Sequence, residues 1–168
     1  LHVPAAEDLL IHSVTHLVHE GELNNGLRDL HDVDSLLRQF GPTTGFWARL
    51  VAHAAGNDLA GPVALGLQLA KTVFDSPVNA DALKVLTAAA GTTWRRSWLP
   101  AVYAHALRPQ SANDNDFRAG LARSLIYVRA HALRMPAHLL LLLLLLLPPS
   151  LRMRLPPWPT VRLALQVL

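Results

Sequence analysis

The sequence predicts an all-α protein, a multi-helix bundle of about seven to nine helices without a sheet. Apolar residues recur at the three- and four-residue spacing of helices, and no stretch alternates apolar and polar residues as a half-buried strand would. Hydrophobic residues make up 51% of the 168-residue chain, which is enough for a sizeable core. Glycine and proline separate the helical stretches and indicate short connections between them.

The first two helices are predicted from their apolar stripes and from the breaks around them. Pro4 suits a first helical turn and Gly21 a stop, while the second helix runs from about Asn25 to Gln39, before a Gly41-Pro42 break. The two stripes comprise Leu10, Val14, Leu17 and Val18 in the first helix, and Leu27, Leu30, Val33, Leu37 and Phe40 in the second. We expect the two helices to form an antiparallel pair.

The middle of the chain contains four further helical stretches. The third helix is predicted from about residues 44 to 56 and the fourth from about 62 to 74. Asn79 is placed to cap a fifth helix that ends at about residue 91. Residues 92–107 again have helical spacing, and we expect Pro100 to kink or split that helix.

The last third begins after a polar loop at residues 110–116, which divides a helical domain (1–109) from a helical extension (117–168). Residues 117–135 form an amphipathic helix with Arg118, Arg123, Arg129 and Arg134 among its polar positions. Nine leucines follow at 139–147. As a helix they span about 13 Å, which is too short for a transmembrane span. We predict a buried core helix there; the alternative is a partner-binding or interfacial segment.

The net charge of +3 combines two oppositely charged parts. Residues 1–116 carry all twelve acidic residues and eight basic ones, whereas residues 117–168 carry seven arginines and no acidic residue. One interpretation is that these arginines solvate helices that dock on the acidic part. The alternative is an anionic partner, such as nucleic acid, phospholipid headgroups or an acidic protein face.

The absence of cysteine excludes disulfides, thiolate zinc sites and cysteine nucleophiles. It is compatible with the cytoplasm, where we expect the protein to be found. Because the chain begins with Leu1, we also expect it to be part of a longer or processed protein.

The first helix carries a row of three histidines. At about 100° per residue, His12, His16 and His19 fall within about 60° of one another, opposite the apolar stripe. The row therefore faces solvent or another part of the protein. The first choice is ordinary hydrogen bonding at a helix or domain interface. The alternative is a metal site, because histidines four residues apart can chelate an ion and Asp32 or His31 of the next helix could complete the site. The spacing is not that of a zinc protease, which has a glutamate directly after the first histidine.

The second helix carries charged residues that permit two interpretations. His31-Asp32, with His16 as an upstream ligand, resembles the dyad of metal-dependent HD phosphohydrolases. Arg28 and Asp32 are four residues apart and can instead form an intrahelical ion pair. Asp29 lies nearer the apolar side and should need a partner, for example a histidine of the first helix.

Residues 4–40, PAAEDLLIHSVTHLVHEGELNNGLRDLHDVDSLLRQF, resemble the start of the helical C-terminal region of a bacterial family of uncharacterised nucleotidyltransferases in the polymerase-β-like superfamily. The shared pattern is an acidic residue with leucines, two histidines one turn apart, a Leu-Arg-x-Leu-x-Asp-Leu/Val segment and a leucine pair. The matching positions are Glu7, Asp8, Leu9, Leu10, His12, His16, Leu27, Arg28, Leu30, Asp32, Val33, Leu36 and Leu37.

The resemblance implies a helical substrate-binding or scaffolding portion of such a transferase. Family members bind Mg²⁺ and nucleotide on an α/β domain with a Gly-Ser turn and paired aspartates, and this sequence has no Gly-Ser step. We therefore expect the catalytic domain to be missing and no catalytic or metal-binding residue to lie in this chain. The substrate or interface residues would be His12, His16, Arg28 and Asp32. The alternatives are the metal-dependent phosphohydrolase, with His16, His31 and Asp32, and a non-enzymatic module for an anionic partner or membrane surface.

Overall fold

The computed structural model describes residues 4–19, 23, 25–92, 94, 98–108, 117–136, 138–139 and 145. These residues form seven α-helices and no strand, so the all-α prediction is confirmed for them. The helices are α1 (Ala6–His19), α2 (Gly26–Phe40), α3 (Phe46–Gly56), α4 (Ala60–Phe74), α5 (Ala80–Ala89), α6 (Leu99–Ala106) and α7 (Phe117–Arg134). All but α6 begin and end within two residues of the positions expected from the sequence.

The core is built around α1 and α4. The predicted stripe of α1 is buried and packs against α2, α3 and α4. The first eight residues of α4 are all buried, because this helix contacts α1, α2, α3, α5 and α6. Gly66 brings α1 and α4 together: a Cβ built on it would lie 2.4 Å from a methyl carbon of Val14. The missing side chain of Gly66 thus allows α1 to approach α4 closely.

An ion pair fixes the start of α1 to α3. The Nε of Arg49 donates a 2.7 Å hydrogen bond to Oε1 of Glu7, whose side chain is buried. Glu7 also lies in the first turn of α1, where a negative charge complements the helix dipole. Its pairing with a residue 42 positions away, however, is a tertiary contact that helix periodicity does not indicate.

A second buried carboxylate joins α2 to the end of α4. Arg38 donates from Nε to Asp34 at 3.0 Å and from Nη2 to the carbonyl oxygen of Phe74 at 3.0 Å. The Ser76 hydroxyl donates to Oδ1 of Asp34 at 2.6 Å. Between them, Asp75 has φ +51°, a left-handed conformation that ends α4. The hydrogen bonds of Asp34 with Arg38 and Ser76, and of Arg38 with the Phe74 carbonyl, therefore fix the turn that follows α4.

The helix expected across residues 92–107 is shorter than predicted. Residues 92, 94 and 98 lie in turns, and α6 starts at Leu99, which places Pro100 in the first turn rather than at a kink. A proline is tolerated there because first-turn amides have no partner within the helix. The buried hydroxyl of Tyr103 donates to the carbonyl oxygen of Val18 at 2.9 Å and so connects α6 to α1.

One arginine of α7 is not on the polar face, contrary to the sequence-based expectation. Arg129 is only 4% exposed, and its guanidinium carbon lies 4.0 Å from the ring centroid of Trp94. Trp94 in turn covers Gly61, where any Cβ would meet the indole at 2.4 Å. The guanidinium is accommodated in this buried position by its contact with the aromatic face. Helix α7 itself packs on α6, and the boundary proposed between the two regions remains a prediction.

The leucine run is not a buried core helix at the two positions that the structure describes. Leu139 is 44% exposed and Leu145 is 50% exposed. The other seven leucines, the 110–116 loop and the chain after residue 145 lie outside the described residues. Among the helices that the structure describes, none combines the length and the apolar character required to cross a membrane.

Candidate functional site

The histidine row of α1 is partly as predicted. His12 and His16 are both exposed, and their rings are stacked, with centroids 6.3 Å apart and planes 18° from parallel. They lie one helical turn apart, opposite the residues that α1 buries. The core of the domain therefore does not enclose these two imidazoles, and they remain accessible to another molecule.

The third histidine of the row has different surroundings. His19 is half-buried, and its ring centroid lies 5.4 Å from that of Trp94. Burial lowers the pKa of His19, and the positive charges of Arg134 and Arg129 lower it further. Because the His19 ring packs against the Trp94 indole, His19 belongs to the packing of the domain and does not extend the exposed pair.

The two candidate residues of α2 are also exposed. Arg28 and Asp32 lie on the side of α2 away from its buried residues, and α2 is packed directly against α1. The structure contains no ion pair between these two residues, so the intrahelical pair suggested by their spacing is not formed. Asp29 is half-buried, and the histidine partner expected for it is not observed.

The metal site of the phosphohydrolase alternative is not assembled. Within the described part of the chain, no three or more histidine, aspartate or glutamate side chains are grouped so that they could hold one metal ion. His16, His31 and Asp32 are all described, and the ring of His31 instead packs edge-on against Phe74, with centroids 5.9 Å apart. No observation in the structure therefore favours that alternative.

One contact between a histidine and an aspartate was not anticipated from the sequence. Nδ1 of His53, on α3, lies 2.9 Å from Oδ1 of Asp8, and both side chains are about half exposed. Asp8 precedes His12 by one helical turn and lies on the same exposed side of α1. The contact between Asp8 and His53 therefore connects this side of α1 to α3. Only the fold brings together residues 45 positions apart, and no sequence motif indicates such a pair.

The described surface has an open depression at a different place. It lies between α4 and α5, and its lining includes Gln68, Lys71, Lys84 and Thr87. None of the four candidate residues lines it. The exposed candidate residues of α1 and α2 therefore lie outside this depression.

The described chain is thus an all-α module that leaves His12 and His16 of α1 and Arg28 and Asp32 of α2 exposed. Residues 1–75 match the model of a protein family described as an uncharacterised nucleotidyltransferase. The matched segment contains α1 to α4 and includes His12, His16, Arg28 and Asp32. No curated protein and no solved structure matches the chain. The first 75 residues are therefore similar to a nucleotidyltransferase family, and the similarity covers less than half of the chain.

Proposed function

We propose that this chain is the helical substrate-binding or scaffolding portion of a nucleotidyltransferase-like protein and is catalytically inactive alone. The observation that carries the proposal is the exposure of His12, His16, Arg28 and Asp32 on two helices that pack together within the matched segment. We shall call these four residues the α1–α2 face. Hydrogen-bonding groups left uncovered in this way suit a substrate or an adjoining domain.

The distribution of carboxylates supports this assignment. Glu7 and Asp34 are buried, and each joins its helix to a distant part of the chain: Glu7 through Arg49 of α3, and Asp34 through Ser76 after α4. Asp32 is two residues from Asp34 but exposed, and its loss would leave no buried group without a partner. A residue of that kind contributes little to stability and is available for contact with another molecule.

Magnesium and nucleotide would bind on the catalytic domain of such a protein rather than here. Asp32 and Asp34 of α2 have the Asp-x-Asp spacing of paired catalytic aspartates, but these two carboxylates do not fit a magnesium site. Asp34 already accepts hydrogen bonds from Arg38 and Ser76 and is buried, whereas Mg²⁺ needs accessible oxygen ligands in octahedral geometry. We therefore assign no step of nucleotidyl transfer to this chain's residues.

The reading frame directly upstream of Leu1 provides the experiment. We expect it to encode a domain with a Gly-Ser turn and paired aspartates, and that domain, expressed separately, should bind this chain. His16→Ala and Asp32→Ala should weaken the association measured by calorimetry. The matched control Lys84→Ala, on the exposed surface of α5, should not.

Circular dichroism of each variant shows whether a loss of affinity comes from a lost contact or from unfolding of the helices. The proposal requires His16→Ala and Asp32→Ala to keep wild-type helicity while they lose affinity. It would be wrong if the upstream frame encoded no such domain, or if both variants bound as tightly as the wild type.

A second candidate function, contact with an anionic surface, is favoured by the end of α7. Leu133 lies two turns after the buried Ile126 on the same helix stripe, yet it is 42% exposed. Met135 and Leu139 follow and are also exposed. Residues 117–168 contain seven arginines and no acidic residue. Apolar side chains beside cationic ones are typical of segments that lie on anionic membrane surfaces.

Vesicle sedimentation tests this second candidate. The chain should bind vesicles that contain an anionic phospholipid and not neutral ones. Binding should weaken as salt rises, because the Debye length falls from about 10 Å at 0.1 M to about 3 Å at 1 M. Leu133→Gln should reduce binding, whereas Val85→Gln, at an exposed position of α5, should not. Salt-independent binding would exclude a charge-driven contact.

A further inference from the structure

We propose that His12 and His16 form a binding site for a divalent transition-metal ion, of which Zn²⁺ is the representative. The two imidazoles lie one turn apart on the exposed side of α1, with ring centroids 6.3 Å apart and planes only 18° from parallel. Side chains four residues apart on a helix are neighbours, with about 5–6 Å between their Cβ atoms. One nitrogen of each ring can therefore approach the same ion, for which the Zn–N distance is about 2.0–2.1 Å.

One carboxylate of the same helix lies close to the pair along the chain. Asp8 is exposed one turn before His12, and its Oδ1 lies 2.9 Å from Nδ1 of His53. A carboxylate on this side of α1 is compatible with a cation nearby.

Imidazole nitrogen is a ligand type that zinc and other late first-row transition metals prefer. His19 does not add a third ligand to the pair, because its ring packs against Trp94. No group of three or more histidine and acidic ligands occurs among the described residues. From the described residues the ion would take His12 and His16 as ligands, and its other coordination positions would take water or further donor atoms.

The test is calorimetric titration of the full chain, without a polyhistidine tag, with Zn²⁺ alone. We expect saturable binding of one ion per chain. His12→Ala or His16→Ala should weaken the affinity by about tenfold or more, since even the loss of an outer-shell partner of a metal ligand costs about 10–100-fold. Both positions are exposed in a helix, where alanine is well tolerated.

His31→Ala and Asp32→Asn are the matched controls, because both residues are exposed on α2 and belong to the alternative metal group. Their affinity for Zn²⁺ should equal that of the wild type. The site is contradicted if the wild type shows no saturable binding or if the His12 and His16 variants bind unchanged. If His31→Ala and Asp32→Asn lowered the affinity for Zn²⁺ instead, the ion would bind on α2 and the assignment would also be wrong.

Thermal unfolding gives a second readout. Zn²⁺ should raise the unfolding midpoint of the wild type, since an ion that bridges two turns binds the folded helix more tightly than the unfolded chain. The midpoint of His16→Ala should not change when Zn²⁺ is added. This site goes beyond the proposed function and fails separately from it, because the titration needs neither a catalytic domain nor a substrate.

Discussion

The hydroxyl of Ser76 lies 2.6 Å from Oδ1 of Asp34, and this buried hydrogen bond connects the segment after α4 to the middle of α2. The same hydroxyl lies 3.0 Å from the carbonyl oxygen of Ala70. Arg38 reaches the carboxylate from the solvent side and also the carbonyl oxygen of Phe74. One carboxylate thus organises the end of α4, only two residues from the exposed Asp32 of the α1–α2 face.

Substitution of these two aspartates should separate structure from function. Asp34→Asn should lower the free energy of unfolding by about 1–3 kcal/mol, because a buried hydroxyl and a guanidinium lose their charged acceptor. Asp32→Asn should change it by less than about 0.5 kcal/mol, as is usual at an exposed site. Urea denaturation measures both values. Equal losses would contradict the distinct roles of the two residues.

Acid should weaken the fold through Glu7 and Asp34. Burial raises the pKa of both groups, but hydrogen bonds from the backbone and Arg49 for Glu7, and from Arg38 and Ser76 for Asp34, outweigh it and leave each pKa below its ordinary value. Their stabilisation is therefore complete above the ordinary carboxyl pKa values of about 4 and is lost as the pH falls through the lower folded-state values.

The double variant Glu7→Gln/Asp34→Asn tests the origin of this pH dependence. Urea midpoints measured from neutral pH down to about pH 2 should fall less steeply than those of the wild type, from a lower starting value. If the two proteins lost stability in parallel, other carboxylates would be responsible.

The contact between α1 and α4 should not tolerate a larger residue. Gly66→Ala places a methyl group 2.4 Å from Val14 Cγ1, and overpacking of this kind costs about 1–3 kcal/mol. Gly120→Ala is the matched control, because Gly120 is also helical and a Cβ there meets nothing within 4 Å. The control should gain up to about 1 kcal/mol from helix propensity. Thermal or urea unfolding distinguishes the loss of stability expected for Gly66→Ala from the gain expected for Gly120→Ala.

The buried link between α6 and α1 should depend on one hydroxyl. Tyr103→Phe removes the hydrogen bond to the carbonyl oxygen of Val18 and should cost about 1–2 kcal/mol, since that oxygen stays buried. Burial raises the pKa of Tyr103, although Arg129 opposes the shift, so the phenol remains protonated through neutral pH. An unchanged urea midpoint would show that the bond contributes nothing.

Some details of the bundle follow directly from local sequence. Asn79 was expected to cap α5, and its Oδ1 accepts hydrogen bonds from the backbone amides of Asp81 and Ala82 at 3.0 and 2.9 Å. The stripe from Leu10 to Val18 was expected to be buried, and it is. Capping and periodicity involve residues within one or two turns of each other, so their signals can be read without the fold.

Other details could not be predicted because they depend on distant residues. Arg129 lies at a position of α7 where the helical repeat predicts a polar, exposed residue, yet its guanidinium is buried against Trp94. Pro100 was expected to kink a helix, because no local signal indicated that the residues before it form turns and that the helix starts at Leu99. The candidate site was predictable only as a helix face, whereas the pairing of His53 with Asp8 required α3 to pack beside α1.

The sequence by itself determined that the described chain is helical, where most of its helices begin and end, and that His12 and His16 lie opposite the apolar stripe of α1. These properties follow from the 3.6-residue repeat of a single helix. Only the tertiary structure decided which carboxylates are buried. Glu7 meets Arg49 and Asp34 meets Ser76, in each case 42 residues away, while Asp32 stays exposed, because burial depends on which helices pack together.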